Sequence, residues 1–387
     1  MNNILRNIRG DKVIWATVII LSIFSLLTVY SSTGTLAYKY QGGNTEYYMM
    51  KHFIILAFGF LLMYLTHLVK FTYFSRIFQI ALYIAIPLLI LTLLIGDNVN
   101  EAKRFLPLPF NLSFQTSDLA KLTLIMYLAR LLTKKQGKIK DFKSAFVPIM
   151  VPVLIVCALI LPANFSTAAM LFITSLVLMF IGRVKFSYLA SFVGITVGLF
   201  VILLLVARVY PNFMPRATTW NSRINNYFKP DNVDSDKTYQ VEQSKIAIAS
   251  GGIFGKAPGN STQRNFLPHP YSDFIFAIIV EEYGLLGGTF IVLLYLILFF
   301  RVVKIVIKCP RTFGAFMATG VGFSLVFQAL INMAVAVNLI PVTGQPLPLV
   351  SMGGTSIWFT SIAIGIILSV SRETDSEFIN EEQYVAA

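Results

Sequence analysis

The chain has 387 residues, of which 56% are hydrophobic and 13% are charged, and its mean hydropathy is +0.72. These values exceed those of a water-soluble domain of this size, so a soluble globular protein is excluded. The net charge of +13 is interpreted as a topology signal rather than as nucleic-acid binding, because membrane proteins concentrate Lys and Arg in cytoplasmic loops.

Long apolar runs recur along the chain and predict transmembrane helices, because they are continuous rather than alternating. The predicted fold is an all-α polytopic membrane protein with about ten transmembrane helices in a single domain, residues 1–372. The predicted spans are residues 13–30, 53–69, 77–95, 119–132, 146–161, 168–181, 188–206, 274–300, 313–337 and 357–370.

The distribution of Lys and Arg orients these spans. Residues 134–143 hold five lysines, whereas the short outer loops hold little beyond Lys39, Lys103 and Arg104. Both termini are therefore predicted to be cytoplasmic, with one large extracellular loop at residues 208–272, between the seventh and eighth spans. Residues 373–387 are predicted to be a short acidic cytoplasmic tail without ordered structure.

Several functional classes lack their sequence signatures. There is no Walker sequence and no dinucleotide-binding glycine pattern, which argues against an ATP-driven pump or a redox enzyme. The three histidines do not have the spacing of zinc ligands. A disulfide between Cys157, inside a span, and Cys309, in an inner loop, is implausible on topology.

Acidic residues accompany the start of the eighth span, in the stretch FLPHPYSDFIFAIIVEEYG at residues 266–284. Asp273 lies where the span begins, so it is either a helix-capping residue together with Ser272 or a functional carboxylate. Glu281 and Glu282 are predicted two and three turns deeper, where ionisable side chains normally face a cavity or a partner. A buried structural pair is the alternative for these two glutamates.

The large loop contains a predicted short amphipathic helix that ends at Gly251 and Gly252, followed by a glycine-rich turn with Lys256 and then Arg264. Such a turn can hold a phosphate with backbone N–H groups and a cation. An ordinary glycine turn with a nearby lysine is the alternative.

The last outer loop, NLIPVTGQPLPLVSMGGTS, places prolines and glycines at membrane depth, where irregular backbone is tolerated only against protein or a wet cavity. It leads into the N-terminus of the tenth span, a natural anion site. A tight turn without a ligand is the alternative. The candidate residues of this loop are Ser351, Gly353, Gly354 and Thr355.

The stretch EAKRFLPLPFNLSFQTSDLAK places Arg104 outside the membrane and Gln115 at the opening of the fourth span. Asp118 and Lys121 are spaced to meet on one helix face, so an intrahelical ion pair is the alternative to a functional role for Lys121.

Three of these stretches, in this order along the chain, resemble motifs of the SEDS (shape, elongation, division and sporulation) family. They are RFLPLPFNLSFQTSDLAK, GKAPGNSTQRNFLPHPYSDFIFAIIVEEYGLLGG and LIPVTGQPLPLVSMGGTS. The Gly259–Asn260–Ser261 turn and Gln263 resemble the cell-division branch more than the elongation branch. The chain departs from common family patterns at Phe105, where tryptophan is frequent, in QTSD and LPANFSTA, and at Thr343, where some members have lysine.

The resemblance implies a peptidoglycan glycosyltransferase that polymerises lipid II at the outer face of the bacterial cytoplasmic membrane during septal wall synthesis. It implies that Asp273 is catalytic, and this chemistry needs one carboxylate base and cations for the pyrophosphate leaving group. The candidate substrate-binding residues are Arg104, Lys121, Gln115, Lys256, Ser261, Arg264, Ser351, Gly353, Gly354 and Thr355. A positioning or cavity network is assigned to Glu281, Glu282 and His269.

The resemblance also implies partners. No segment of the chain resembles a transpeptidase, so a class B penicillin-binding protein is expected to cross-link the new strands. Other division proteins and membrane lipid are further expected partners, and nucleic acid is not. A divalent cation, Mg or Mn, is a candidate for stabilising the leaving group, with its ligands unknown.

Three alternatives stay open on the sequence. A RodA-like elongation polymerase would use the same motifs. A lipid II transporter is motivated by the intramembrane glutamates, but the two-fold internal repetition typical of transporters is not seen. A non-catalytic division scaffold is the third.

Overall fold

The computed structural model describes residues 9–99, 102–108, 112–209, 220 and 235–385. It is mainly helical, and three short strands separate the fourth helix from the fifth. The helices are α1 (Lys12–Ser32), α2 (Gly34–Gln41), α3 (Thr45–Leu68), α4 (Phe71–Ile95), α5 (Thr116–Lys135), α6 (Val147–Ile160), α7 (Phe165–Ile181), α8 (Phe186–Val209), α9 (Ser235–Gly251), α10 (Ile275–Lys308), α11 (Thr312–Ala336) and α12 (Gly354–Val385).

Within the described ranges, eight helical segments are long and apolar enough to cross a membrane. They are α1, α3, α4, α6 with the π-helical turn Phe142–Phe146 that precedes it, α8, α10, α11 and α12. The other two predicted spans are also helical but are less apolar or shorter than these eight. Helix α5 carries the charged residues Asp118, Lys121 and Arg130, and α7 has only 17 residues. The chain is therefore a multi-pass membrane protein, with α5 packed between α4 and α11.

The prediction of an all-α fold was wrong for the segment between α4 and α5. This segment forms an antiparallel sheet of β1 (Asp97–Val99), β2 (Ala102–Leu108) and β3 (Leu112–Gln115), in the order β1-β2-β3. Phe105 lies opposite Gln115, and Leu106 lies opposite Phe114. The sequence of β3 alternates apolar and polar residues, which is the pattern of a half-buried strand.

Helix α10 is broken at Gly284, whose φ of 69° and ψ of −174° are not helical. The break frees the N–H groups of Leu285 and Leu286, which donate to Gly252 O at 2.9 Å and to Ile253 O at 3.3 Å. A Cβ atom at Gly284 would lie 2.1 Å from Ile253 O, so only glycine fits this close approach.

The break separates the two glutamates from the longer part of α10. The part after Gly284 has about 24 residues and is roughly 36 Å long, which is enough to cross the hydrocarbon layer by itself. Glu281 and Glu282 precede the break and lie in the helical segment that begins at Ile275. The prediction that they lie two and three turns beyond Asp273 agrees with this segment, and their depth in the membrane stays a prediction.

The two ends of the bundle are called here the sheet face and the terminal face. The sheet face carries β1–β3, α2, residues 252–274 and the loop 337–353. The terminal face carries the start of α1, the turn between α3 and α4, and the ends of α5, α10 and the apolar part of α12. On this face Asp11 caps α1 by accepting from Val13 N at 2.9 Å and Ile14 N at 3.2 Å, and it also pairs with Arg301 at 2.6 Å.

The acidic tail continues α12 as far as Val385. Its first residues are fixed to the α3–α4 turn, since Glu373 accepts from Phe71 N at 3.1 Å and Arg372 donates to Leu68 O at 2.9 Å. The expectation of disorder was wrong for residues 373–385, because the tail holds neither glycine nor proline and nothing in it stops the helix.

The predicted large loop is described in part. The short helix expected before Gly251 and Gly252 is α9. Trp220 packs with Phe165 and Phe200, at ring-centroid distances of 5.1 and 6.1 Å. Residues 210–219 and 221–234 lie outside the described residues.

Candidate active site

Asp273 lies at the sheet face, in the short segment that precedes α10. The helix begins at Ile275, and its N-cap position is Phe274, which makes no side-chain capping bond. The capping interpretation of Ser272 and Asp273 was therefore wrong. Ser272 Oγ instead donates to Asp273 Oδ1 at 3.0 Å, and the Asp273 side chain is partly exposed. A substrate at the sheet face can reach this carboxylate.

The main chain around Asp273 is anchored at three successive carbonyl groups. Each carbonyl accepts one hydrogen bond from α11 or from the loop 337–353. The bonds run from Met352 N to Tyr271 O (2.9 Å), from Ser351 Oγ to Ser272 O (2.6 Å) and from Asn332 Nδ2 to Asp273 O (2.9 Å). Ser351, predicted to bind substrate, thus holds the segment that carries the carboxylate.

The loop 337–353 also approaches the Asp273 side chain. Gly344 has a φ of +65°, and a Cβ atom there would lie 3.5 Å from Asp273 Oδ2. The left-handed backbone and this closeness both favour glycine. The neighbouring Thr343 Oγ1 is buried without a hydrogen-bond partner among the described residues.

His269 and Tyr271 lie on the exposed side of the same segment. His269 has a φ of +57°, and its Nδ1 lies 3.1 Å from Tyr271 Oη. Burial, together with the nearby Tyr48 and Asp273, raises the pKa of Tyr271 above its ordinary value of 10. Tyr271 therefore stays protonated at neutral pH and can donate a hydrogen bond beside Asp273.

A chain of side-chain amides connects Asp273 to α5. Asn332 Nδ2 also donates to Gln345 O at 2.7 Å, and Gln328 Nε2 donates to Pro346 O at 2.9 Å. Gln328 Oε1 accepts from Lys121 Nζ at 2.8 Å. The two amides of α11 thus tie the loop that supports Asp273 to a cation of α5.

Lys121 lies beside a cavity between α5, α11 and α12, whose polar lining includes Asp118, Ser324, Gln328 and Ser356. The predicted ion pair is present, with Lys121 Nζ 3.6 Å from Asp118 Oδ1. Asp118 Oδ2 is buried without a hydrogen-bond partner in the described part of the chain. The cavity therefore contains both charges of the pair.

Arg104 and Gln115 lie on the sheet beside α5. Arg104 Nε donates to Ala163 O at 2.9 Å, and Arg104 borders a small cavity between α4, α5 and α6. Thr355 Oγ1 accepts from Gln115 N and donates to Ser113 O, both at 3.2 Å. Thr355 therefore joins the start of α12 to β3.

The predicted anion site at the start of α12 is compact. The helix begins at Gly354. A Cβ atom at Gly353 would lie 2.4 Å from Ser356 Oγ. This close approach explains the glycine at position 353 without a ligand, whereas a Cβ atom at Gly354 would meet only Ser113 O, at 4.0 Å.

Glu281 forms hydrogen bonds with the glycine-rich turn that follows α9. Its side chain is fully buried and pairs with Lys256 Nζ at 2.7 Å. It accepts further hydrogen bonds from Ser250 Oγ, Ser261 Oγ, Thr262 N, Thr262 Oγ1 and Gln263 N. Lys256 and Ser261, predicted to bind substrate, are thus bound to this carboxylate.

Glu282 faces the end of α1. It accepts a hydrogen bond from Ser31 Oγ, and Arg264 donates to Ser31 O at 3.0 Å and to Ser31 Oγ at 3.1 Å. The three side chains join α10 to α1, away from the anchors of Asp273. This arrangement agrees with the alternative of a buried structural group for Glu282.

Residues 11–376 match a family model that is described as cell cycle protein and covers FtsW, RodA and SpoVE. This chain is a member of the FtsW/RodA/SpoVE family. The resemblance drawn from the three motifs is thereby confirmed. Curated relatives include a probable peptidoglycan glycosyltransferase FtsW of Aliivibrio salmonicida, 30% identical over 88% of this chain and 83% of the relative. Stage V sporulation protein E of Bacillus subtilis is 32% identical over 92% of this chain and 95% of the relative.

Solved structures of family members have the same fold. A chain from a peptidoglycan synthase complex, described as coordinating polymerization and crosslinking, superposes with a TM-score of 0.71, at 25% identity over 94% of this chain and 98% of that chain. The rod shape determining protein RodA of Thermus thermophilus superposes with a TM-score of 0.65, at 24% identity over 94% and 97%. Because the sequence identity to RodA is only 24%, this superposition supports the fold alone.

The structure of this family member groups the predicted residues into three places. Asp273, His269 and Ser351 lie together at the sheet face. Arg104, Gln115, Lys121 and Thr355 lie on β2, β3, α5 and α12, and Gly353 and Gly354 form the turn that starts α12. Lys256, Ser261 and Arg264 lie with Glu281 and Glu282.

Sequence reasoning missed the residues that hold the candidate site together, namely Asn332, Gln328, Gln345 and Gly344. One signal was available, because Gln328 and Asn332 are the only side-chain amides of a mostly apolar helix and are four residues apart. At that spacing they share one helix face, where membrane amides form interhelical hydrogen bonds. Gly344 gave no comparable signal.

The described residues contain no group of three or more His, Cys, Asp or Glu side chains that could hold a metal ion. A protein-built metal cage is therefore absent from the described ranges. Mg²⁺ is commonly held by few protein groups together with substrate phosphates and water, so such an ion does not require a protein-built cage.

Proposed function

We propose that this chain polymerises lipid II into glycan strands, as a peptidoglycan glycosyltransferase. The observation that carries the proposal is the setting of Asp273, a partly exposed carboxylate on a main chain anchored by Asn332, Ser351 and Met352. An anchored main chain with an accessible side chain is what a general base needs. Relatives named as probable peptidoglycan glycosyltransferases support the choice of reaction.

In the proposed reaction, Asp273 takes the proton from an acceptor sugar hydroxyl. The oxygen of that hydroxyl forms the new bond to the anomeric carbon of the donor. The donor's glycosyl–phosphate bond breaks, and undecaprenyl pyrophosphate leaves with the bond's electron pair. Arg104 and Lys121 are the proposed groups that stabilise the leaving-group charge, because each is a cation that borders a cavity of the bundle.

A divalent cation is the proposed addition to these groups. The substrate pyrophosphate would supply its ligands, because Asp273 is the proposed base for the acceptor hydroxyl, and the ion would neutralise charge on the leaving group. Removing divalent ions with a chelator and adding back Mg²⁺ or Mn²⁺ tests this part of the proposal.

The direct test gives the purified chain lipid II in detergent and separates the products by length. Glycan polymer is expected from the wild-type chain, and far less from Asp273→Asn under the same conditions. Lipid II that stays monomeric with the wild-type chain, even with a partner added, would contradict the proposed function.

We further propose ten membrane spans, with both termini cytoplasmic and the sheet face outside. The lysine-rich connection between α5 and α6 on the terminal face supports this orientation. Cys309 offers a test, because it lies on the terminal face and is partly exposed, whereas Cys157 is buried. A membrane-impermeant maleimide should label Cys309 in inside-out vesicles and not in intact cells.

We propose a class B penicillin-binding protein as the partner, docked along α10 and on the segment after α9. An exposed apolar strip supports this surface. It runs from Ile253 and Phe254 (59% and 81% exposed) to Leu285, Leu286 and Phe290 (52%, 58% and 41% exposed). The strip continues from the glycine-rich turn onto α10, so it suits a partner with one membrane helix and an external stalk.

The partner proposal predicts stimulation of polymerisation when the partner is titrated in. Binding at the strip would shift the residues beside Asp273 toward the competent state. Phe254→Ser should weaken the stimulation, and deletion of the partner's stalk should remove it. Full activity without the partner would contradict the idea.

The proposed cellular role is septal synthesis with other division proteins, from Gly259–Asn260–Ser261 and Gln263. A tagged copy should concentrate at the septum. A tagged copy that follows the lateral wall and avoids the septum would favour the elongation branch.

A further inference from the structure

The terminal face has two parts that differ in charge. At the ends of α1, α10 and α12, two arginines pair with carboxylates of the chain, Arg301 with Asp11 and Arg372 with Glu373. The ends of α5 and α7 and the connections that follow them carry many cations without such partners. The exposed cations there, called the basic patch, are Lys134, Lys138, Lys140, Lys143, Arg183 and Lys185.

The basic patch has almost no charge compensation from the chain. Asp141 is the only acidic residue between residues 131 and 190. A hydrogen bond from Ser144 and the charge of Lys138 lower the pKa of Asp141, so it supplies one negative charge at neutral pH. In the described part of the chain, no ion pair joins a cation of the patch to a carboxylate.

The two connections form one surface. Gln136 Nε2 donates to Gly182 O at 3.3 Å, which joins the end of α5 to the turn between α7 and α8. The Phe142 and Tyr188 rings are 5.2 Å apart, and Lys185 Nζ lies 5.3 Å from the Tyr188 ring centroid. The two connections are therefore in contact, and Lys185 lies over one of the rings that join them.

An apolar helix leads away from the patch. Only 6% of the apolar window of α8 is buried in the protein, and its exposed side chains include Ile195 (59%), Leu199 (62%) and Ile202 (57%). In a membrane such a helix is covered by acyl chains. Phe180 and Phe186, 60% and 68% exposed, lie beside the patch, at the level where aromatic side chains meet lipid headgroups.

We propose that the basic patch binds the phosphate group of an anionic phospholipid whose acyl chains lie along α8. Elsewhere on the face Arg301 and Arg372 each have a carboxylate partner, whereas the six cations of the patch have one acidic residue near them in the sequence, Asp141. The exposed apolar length of α8 selects a lipid over a soluble anion, because it supplies the surface for the chains. Clusters of four to eight cations next to a membrane helix typically recognise anionic headgroups.

The test measures lipid retained by the full-length, detergent-purified chain by native mass spectrometry. Phosphatidylglycerol and phosphatidylcholine with the same acyl chains are added separately, and phosphatidylglycerol should bind more tightly. Each lysine near an anionic surface contributes roughly fivefold in affinity, so Lys140→Gln/Lys143→Gln should weaken phosphatidylglycerol binding roughly 25-fold. Phosphatidylcholine binding should not change.

The matched control is Lys304→Gln/Lys308→Gln, which removes two exposed lysines from α10 on the same face. It should leave phosphatidylglycerol binding unchanged. The proposal is overturned if the two lipids bind alike, or if both double variants weaken binding equally. It is also overturned if polyglutamate binds the patch while phosphatidylglycerol shows no preference over phosphatidylcholine, because the occupant would then be an acidic protein segment. A double variant that melts at a lower temperature is replaced by Lys140→Gln, with roughly a fivefold loss expected.

Discussion

Asp273 lies just before α10 and Glu281 lies inside its first part, and the surroundings of the two carboxylates differ in opposite ways. Glu281 is fully buried, and its oxygens accept hydrogen bonds from Lys256 and the turn after α9. Asp273 keeps a partly exposed side chain, while the protein anchors its main chain through Asn332 and its neighbours. The Glu281 carboxylate is therefore occupied by hydrogen bonds within the fold, whereas the Asp273 carboxylate is accessible to a substrate.

The largest expected effect comes from Asp273→Asn. The amide keeps the shape and the hydrogen bond from Ser272 but cannot accept a proton as a base, so polymerisation should fall by about 10²–10⁴-fold. The melting temperature should stay within a degree or so of wild type, because the main-chain anchors are unchanged. Product length analysis and thermal unfolding on the same preparation check both halves of the prediction.

Asp273→Glu tests whether the position of the carboxylate matters as well as its presence. It retains the carboxylate but moves it by one methylene, so activity between those of wild type and Asp273→Asn is expected. Normal glycan synthesis by Asp273→Asn would show that Asp273 is not the catalytic base. The functional difference proposed between Asp273 and Glu281 would then be wrong.

The next effect is on stability and comes from Glu281→Gln. The amide introduces donors that face Lys256 and the N–H groups of Thr262 and Gln263, and it leaves the lysine without its counter-charge. Loss of one partner from a buried pair of this kind costs about 3 kcal/mol. Thermal unfolding should therefore occur at a clearly lower temperature than in wild type.

The control for this variant is Glu46→Gln, which removes one carboxylate from an exposed position at the start of α3. Its effect on the melting temperature should be small. An unchanged melting temperature for Glu281→Gln would mean that the hydrogen bonds around Glu281 do not stabilise the fold.

The sequence predicted the helices well because apolar length is a local signal. It failed for β1–β3, where a short alternating pattern sits next to two prolines, and for α10, where the break at Gly284 depends on a contact with Ile253. The two failures have different causes. The strands pair with near neighbours in the chain, such as Phe105 with Gln115, but they are too short for the alternating pattern to stand out. The contact of Gly284 with Ile253 joins residues distant in the chain, which no local pattern records.

The residues of the candidate site were also predicted only in part. Asp273, Arg104 and Lys121 were predicted from motifs, whereas Asn332 and Gly344 were not, because their roles depend on packing between α11, the loop 337–353 and α10. Lys256 and Ser261 show the converse. A glycine-rich turn with a cation predicts an anion site, and the anion in this structure is the carboxylate of Glu281.

A smaller effect is expected from Asn332→Leu. The substitution removes the donor to Asp273 O and Gln345 O while filling a similar volume. Asp273 should still be able to accept a proton, but its carboxylate should be held less precisely. This predicts a reduction in kcat of roughly tenfold. KM for lipid II should change little, and initial rates over a range of lipid II concentrations separate the two constants. An increase in KM with unchanged kcat would instead place Asn332 in substrate binding.

The smallest expected effect is that of Gly344→Ala, and it separates backbone strain from crowding at the carboxylate. Gly344 has a φ of +65°, and its new Cβ would lie 3.5 Å from Asp273 Oδ2. Gly42 has a similar φ of +58°, and a Cβ there would meet no atom within 4 Å. Each substitution should cost about 1 kcal/mol from the left-handed backbone, so both should lower the melting temperature by a similar amount. Only Gly344→Ala should also reduce turnover, by roughly two- to fivefold, because the methyl group occupies space that a substrate hydroxyl needs beside the base. Equal turnover in the two variants would show that the loop 337–353 supports Asp273 through its main chain alone.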